Sequence, residues 1–379
     1  MTRLLWITNM ANPDPRAGGG LRSLRLVQAV SARWPVDVIN LGEGLDEQAY
    51  MAMSGARSVR QAVPDVVSAA ARVRLAVRRG LPFPACRWHS AALYDEVLRA
   101  AQEGDLVVLE HGWMLTYLPP QGRVLVVLHN VDREMVRDLP ASGARRLTRR
   151  WNVQAYRGLE RRLARQKGTF VTVVSRRDAQ LMHLPHAAVV PNGADVPAVP
   201  PAVPTEGPVL FIGSMGYQPN VDAVRWWARE VWPGTGLPPL TVLGQGAGQA
   251  LHDLHGAPAV RLVGEVADVA PWLARARVVA IPITSGSGTR LKVVEALAHG
   301  RPVVSTTKGA EGIGLTSGEH ALLEDSAGDF GRAVRRLLDD DALCDKLSAR
   351  GHALASGMSW PIVGEVFAQV VAEAIAAQP

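Results

Sequence analysis

The chain of 379 residues contains only two cysteines, Cys86 and Cys344, far apart in sequence. Neither a disulfide framework nor a cysteine metal site fits that spacing, and a reducing cytoplasm is the expected setting. Aromatic residues make up 5% of the chain. No RNP-like string, zinc finger or recognisable helix-turn-helix accompanies them, so nucleic acid is not expected as a partner. No apolar run approaches the ~20 residues of a membrane span, and the start, MTRLLWITNM, carries no cleavage signal. The expectation is a cytoplasmic protein, free or held peripherally at the cytosolic face of a membrane.

Hydrophobic residues at 47% and charged residues at 20% give a soluble globular composition. The length suits two domains of about 150–200 residues. A formal net charge of +6 permits an anionic partner such as a nucleotide or a phospholipid surface. Short apolar runs alternate with helical spacing along the first half: Leu4–Thr8, Val36–Asn40, Leu106–Leu109, Val124–Leu128 and Phe170–Val174 read as strands. Residues 46–80 read as helical or irregular. A proline-rich stretch, Pro191–Pro208, breaks the rhythm and reads as a stiff linker. Strands then recur at 209–213, 240–243, 260–263, 278–283, 302–304 and 321–323. This alternation predicts an α/β chain of two Rossmann-like, doubly wound parallel sheets.

The densest stretch runs from Ile281 to Val304, IPITSGSGTRLKVVEALAHGRPVV. An apolar strand ends in Ser285-Gly286-Ser287-Gly288, a helical pattern follows, and Gly300 and Pro302 stop it. Small residues opening a helix leave unpaired N–H groups at the positive end of its dipole, where a phosphate can sit. Thr289 adds a hydroxyl, and Arg290 and Lys292 add charge within the same turn. Glu295 lies six residues beyond Thr289, roughly 9 Å along a helix, within reach of the ribose of a nucleoside diphosphate held at the helix start. An ordinary αβ unit with a solvated Arg/Lys pair is the other reading of these residues.

The string GSGTRLK followed by Glu295 resembles the nucleotide-sugar signature of family-four retaining glycosyltransferases with the GT-B fold. The resemblance implies two Rossmann-like domains facing across a cleft: residues 1–198 on the acceptor side, 199–358 binding the nucleotide sugar, and a last helix, 359–379, crossing back. It implies that Glu295 holds the donor ribose while Ser287, Gly288 and Thr289 meet the diphosphate and sugar. The commoner form of the signature has a second glutamate where this chain has Ser287. Gly19 and Gly20 match a first-domain loop that approaches the donor phosphate, and Gly264 and Val266 match a turn that grips the nucleobase. Relatives carry an arginine directly after the equivalent of Gly213 and a lysine further on. Ser214 replaces that arginine here, so Arg290 and Lys292 are expected to neutralise the diphosphate.

In the first domain, His111 and His129 end strands and are candidates to orient donor or acceptor. Asp132 is a candidate acceptor base, and a purely structural role stands beside each of these readings. Trp226, Trp227 and Trp232 read as core. The basic helix from Arg145 to Lys167 reads either as a solvated face or as a contact with anionic membrane. The activity the resemblance implies is transfer of a sugar, with retention, from a UDP-, GDP-, dTDP- or ADP-linked donor to an acceptor hydroxyl, in glycan, glycolipid or natural-product glycoside synthesis. No metal and no organic cofactor is implied. A GT-B nucleotide-sugar epimerase and a non-catalytic binder of sugar nucleotide or nucleic acid remain open alternatives.

Overall fold

A computed structural model describes residues 2–12, 18–65, 68–138 and 142–377. The chain divides into two compact units, Met1–Pro191 with Pro361–Pro379, and Asn192–Trp360.

Among the described residues the first unit is built on a seven-stranded sheet of β1 (Leu4–Thr8), β2 (Val36–Leu41), β3 (Ser58–Ala62), β4 (Leu106–Glu110), β5 (Arg123–Val127), β6 (Thr169–Val173) and β7 (Ala188–Val189). All pairings are parallel, in the order β3-β2-β1-β4-β5-β6-β7. β1 and β4 are buried at every residue, as strands covered by helices on both faces must be. The reading of residues 46–80 as helical or irregular needs correction. Two helices, Glu47–Ser54 and Ala69–Arg79, flank the edge strand β3. Its sequence, SVRQA, is only half-buried and has little apolar alternation to betray it.

The second unit repeats the plan with β8 (Val209–Ile212), β9 (Leu240–Leu243), β10 (Val260–Gly264), β11 (Val278–Ile281), β12 (Val303–Ser305) and β13 (Leu322–Leu323), in the order β10-β9-β8-β11-β12-β13. Trp227 is fully buried and donates from Nε1 to the Ala259 carbonyl at 3.1 Å, while Trp226 meets Phe330 edge-on at 5.5 Å. The tryptophans are core, as their helical spacing suggested.

The unit boundary falls at Pro191–Asn192, ahead of the expected 198–199, because the proline-rich stretch is strapped to the second unit. Prolines offer carbonyls but no N–H, so such a strap needs donors from outside itself. Two buried arginines supply them. Arg301 donates to the carbonyls of Pro201 and Ala202, and Arg277 to that of Pro204 at 3.0 Å and to Asp341 at 2.6 Å. Burial pulls the Arg301 guanidinium down to about 10. Where the chain leaves this unit, Trp360 N donates to the Ala194 carbonyl and Ala194 N to that of Met358. The last helix, Trp360–Ala376, then packs into the first unit, with Phe367 edge-on to Trp6 at 5.8 Å.

Candidate active site

In each sheet the strand order reverses at one place, between β1 and β4 and between β8 and β11. Loops leaving such a point in opposite directions open a crevice at the carboxyl ends of the strands, where open α/β sheets bind their ligands. Both switch points carry residues singled out in the sequence.

In the second unit β11 runs into the Ser285–Arg290 loop. Gly286 and Gly288 have φ of 90° and 83°, a region side chains disfavour, and the Tyr217 hydroxyl fills the space a Gly286 side chain would need. The helix Leu291–Ala298 then begins at Arg290 with no side-chain cap, leaving its first N–H groups available. Arg290 is buried and folds back on the loop, donating from Nη1 to the Ser287 carbonyl at 2.5 Å and from Nη2 to that of Ser285 at 3.1 Å. Ser287 is buried too, and its hydroxyl has no partner among the described residues.

Lys292 reaches across to the end of β8. Its ammonium donates to Asn220 Oδ1 at 2.7 Å and lies 4.3 Å from the centre of the Phe211 ring. Asn220 Nδ2 in turn donates to the Ser214 carbonyl at 2.7 Å. A side chain at Gly213 would collide with the ammonium. The lysine thus brings its charge to the Gly213-Ser214 turn, where the expected arginine is missing. Burial, then the nearby Arg290 charge, holds its pKa well below the usual lysine range. Glu295 sits one turn on, half-buried. Burial, followed by Asp195 and Asp268 nearby, pushes its carboxyl up to about 7. Gly264 accepts from Gly244 N at 2.7 Å, and the next residue, Gln245, accepts from Met215 N at 2.9 Å, tying these glycine turns to the Ser214 loop. Val266, half-buried, follows two residues after Gly264.

At the first unit's switch point the hub is Glu110, fully buried at the end of β4. It accepts from Trp6 Nε1 at 2.9 Å and Ser23 Oγ at 2.7 Å, and meets His129 Nε2 at 2.9 Å. These partners, His129 foremost, hold the carboxyl below its ordinary range despite its burial. His111 adopts φ of 81°, a strained value for a non-glycine residue, which turns its ring onto Trp113 at 4.2 Å and to within 5.8 Å of His129. Burial and the neighbouring His129 push its pKa down to about 3, so it is a neutral imidazole. Its Nδ1 lies 4.0 Å from Asp132 Oδ2. Asp132 is buried as well, and burial raises it to about 7, with Glu160 adding to the shift. The structure therefore seats His129 on Glu110 and places His111 beside both His129 and Asp132. Gly19 and Gly20 lie in the first turn of the Gly18–Ser31 helix, against Met10 and Asn12. Arg22, in the same helix, donates to the carbonyls of Val190 and Pro191 at 2.8 and 2.6 Å, and Arg16 lies outside the described residues.

Sequence reasoning gave no role to Asn220 or Asn192. An asparagine in Gln-Pro-Asn or Pro-Asn-Gly reads as a turn former, and no local pattern reveals a partner 72 or 97 residues away. The one Asp-x-Asp spelling, Asp339–Asp341, is a helix start: Asp340 accepts from Leu343 N at 2.9 Å, and Asp341 pairs with Arg277. Among the described residues no three His, Cys, Asp or Glu side chains are grouped to hold a metal ion, and no helix is long and apolar enough to cross a membrane.

Comparison with known proteins addresses the same residues. Residues 206–340 match the family described as Glycosyl transferases group 1. The lipopolysaccharide core biosynthesis glycosyltransferase LpsE of Rhizobium meliloti (strain 1021) is 31% identical over 188 residues, 47% of this chain and 52% of that protein. The D-inositol 3-phosphate glycosyltransferase of Nocardioides sp. (strain ATCC BAA-499 / JS614) is 36% identical over 107 residues, 27% of this chain and 23% of that one. The chain thus spans about half the length of the first curated relative and under a quarter of the second. Among solved structures, sucrose-phosphate synthase from Thermosynechococcus elongatus aligns over 100% of both chains with a TM-score of 0.69 at 15% identity. Anabaena HepE in complex with UDP-glucose aligns over 98% of this chain and 100% of its own, with a TM-score of 0.67 at 15% identity. Residues 206–340, which include the Lys292–Asn220 bridge and Glu295, thus match the group 1 glycosyltransferase family, and the fold of the chain is the GT-B fold.

Proposed function

We propose that the protein is a glycosyltransferase that moves a sugar from a nucleotide-sugar donor to an acceptor hydroxyl and retains the anomeric configuration. The observation that carries this reading is the arrangement on one short helix. Its uncapped start, the Lys292 ammonium beside Gly213, and Glu295 one turn on match the order of diphosphate and ribose in a nucleotide sugar. A buried ammonium whose nearest partner is a neutral amide gains most from an arriving anion. A diphosphate leaving group would supply one. The bond from the anomeric carbon to the diphosphate breaks, the acceptor oxygen bonds to that carbon on the same face, and the hydroxyl proton passes to the departing phosphate oxygen. Lys292 and the helix start stabilise charge that grows on the diphosphate, so neither an enzyme nucleophile nor a metal is called for.

The acceptor side is proposed for the first unit, where the neutral His111 and the Glu110-held His129 offer hydrogen bonds to a sugar. The name of the LpsE relative supports a glycan or glycolipid acceptor. The test is to incubate the protein with UDP-, GDP-, ADP- and dTDP-sugars, with and without hydroxyl acceptors, and follow nucleotide release. Release that depends on acceptor, with a product of unchanged anomeric configuration by NMR, is expected. Release without acceptor points to the epimerase alternative, inversion removes the retaining mechanism, and no release from any donor removes the reading.

A further inference from the structure

Asn192 is the first residue of the second unit and is 6% exposed. Its Nδ2 donates to Thr289 Oγ1 at 2.7 Å and to the Thr289 carbonyl at 3.1 Å. Only the amide NH2 satisfies a carbonyl, so chemistry fixes which end of the side chain faces the loop. Asn192 therefore stands as a post against the loop that opens the Leu291–Ala298 helix.

Two consequences follow for that loop. A hydroxyl has one proton to give and two lone pairs. With one lone pair of Thr289 Oγ1 taken by Asn192, the hydroxyl keeps its proton for a further acceptor. In a trans peptide the carbonyl and the next N–H point to opposite sides. Holding the Thr289 carbonyl on Asn192 thus aims the Arg290 N–H away from it, with the other free N–H groups of the helix start. We propose that Asn192 is a positioning residue of the donor site: it orients the Thr289 hydroxyl and the Thr289–Arg290 peptide toward the diphosphate. This rests on the nucleotide-sugar reading above. Aspartate cannot do the same work, since it offers only acceptors to two oxygen atoms and adds negative charge beside the phosphates.

The test compares binding of nucleoside diphosphates with that of the matching monophosphates by calorimetry, for the uridine, guanosine, adenosine and thymidine pairs. For the base the wild type prefers, Asn192→Ala should weaken the diphosphate about tenfold, with a smaller effect on the monophosphate. Asn192→Asp should weaken it further. Thr289→Val, isosteric and leaving the Asn192–carbonyl contact intact, should lose part of the same preference while Thr289→Ser keeps it, which covers the case in which Asn192→Ala does not fold. Loss of melting temperature in the Asn192 variants with the diphosphate-over-monophosphate ratio unchanged would make Asn192 merely structural and overturn the inference, leaving the donor reading intact. A wild type that binds no nucleoside diphosphate would overturn both.

Discussion

In the proposed donor site Glu295 would accept the ribose hydroxyls, and its surroundings set the pH at which it can. A carboxylate accepts two ribose hydroxyls well only when ionised, and burial with two acidic neighbours raises this one to about 7. The raised value means that the protonated, poorly accepting form dominates below about pH 7. Donor affinity should therefore rise as pH passes upward through that value. Glu295→Gln should remove this rise and weaken donor binding on the order of tenfold to a hundredfold, since a charge-assisted hydrogen bond contributes about 1.5–3 kcal/mol. Titrating donor against both proteins from pH 5.5 to 8.5 checks it, and an unchanged curve in the variant takes Glu295 out of the site. Lys292 and Arg290, both expected at the diphosphate, are placed differently. Lys292 stands at the Gly213 turn, while Arg290 spends its guanidinium on the carbonyls of Ser285 and Ser287. Lys292→Ala should lower turnover at least about tenfold with the acceptor KM little changed, because leaving-group charge peaks in the transition state. Arg290→Lys should fail to rescue activity, as an ammonium cannot span both loop carbonyls. Full activity in Arg290→Lys would count against that role.

Among the elements, the helix Ala144–Arg165 has the clearest unassigned surface. Its apolar residues, spaced about four apart, split: Ala155, Leu159 and Leu163 are buried, while Leu147 is 69% exposed in a first turn where Arg145 and Arg146 are exposed too. Arg162 donates to the carbonyls of Leu118 and Pro119 and so serves the fold. A contact with anionic membrane would use the exposed start, where arginines surround an apolar residue that could enter the headgroup region. Replacing Arg145, Arg146 and Arg150 by glutamate should abolish co-sedimentation with phosphatidylserine-containing vesicles at low salt. Activity on a short soluble acceptor should persist. A wild type that stays in the supernatant at low salt ends this proposal.

At the scale of the whole molecule, the chain's last helix completes the core of its first unit. Phe367 is fully buried against Trp6, whose Nε1 donates to Glu110. Phe367→Ala should cost about 3–5 kcal/mol, read as a lower denaturation midpoint, with a second effect on activity through Glu110 and His129. A stability loss below about 1 kcal/mol would mean that the helix only lies on the surface. Contacts of this kind separate what the linear pattern carried from what it did not. Eleven of the thirteen described strands, all but β3 and the two-residue β7, were legible because fully covered parallel strands are written as short apolar runs between helices. The glycine loop, Lys292 and Glu295 were legible because one helix start holds them within ten residues. The edge strand β3 was not legible, because a half-exposed strand needs no apolar pattern. Neither was the strapping of residues 192–208 to the second unit, since Arg301 and Arg277 lie 99 and 73 residues from the carbonyls they hold and meet them only when the chain has folded. The sequence by itself determined the two doubly wound sheets and the chemistry placed at one switch point. The tertiary structure alone decided that Lys292 meets Asn220 beside Gly213, that Glu110 gathers His129 beside His111, and that Asn192 holds Thr289. Each of these is a hydrogen bond or close approach between residues distant in sequence, and local periodicity carries no trace of it.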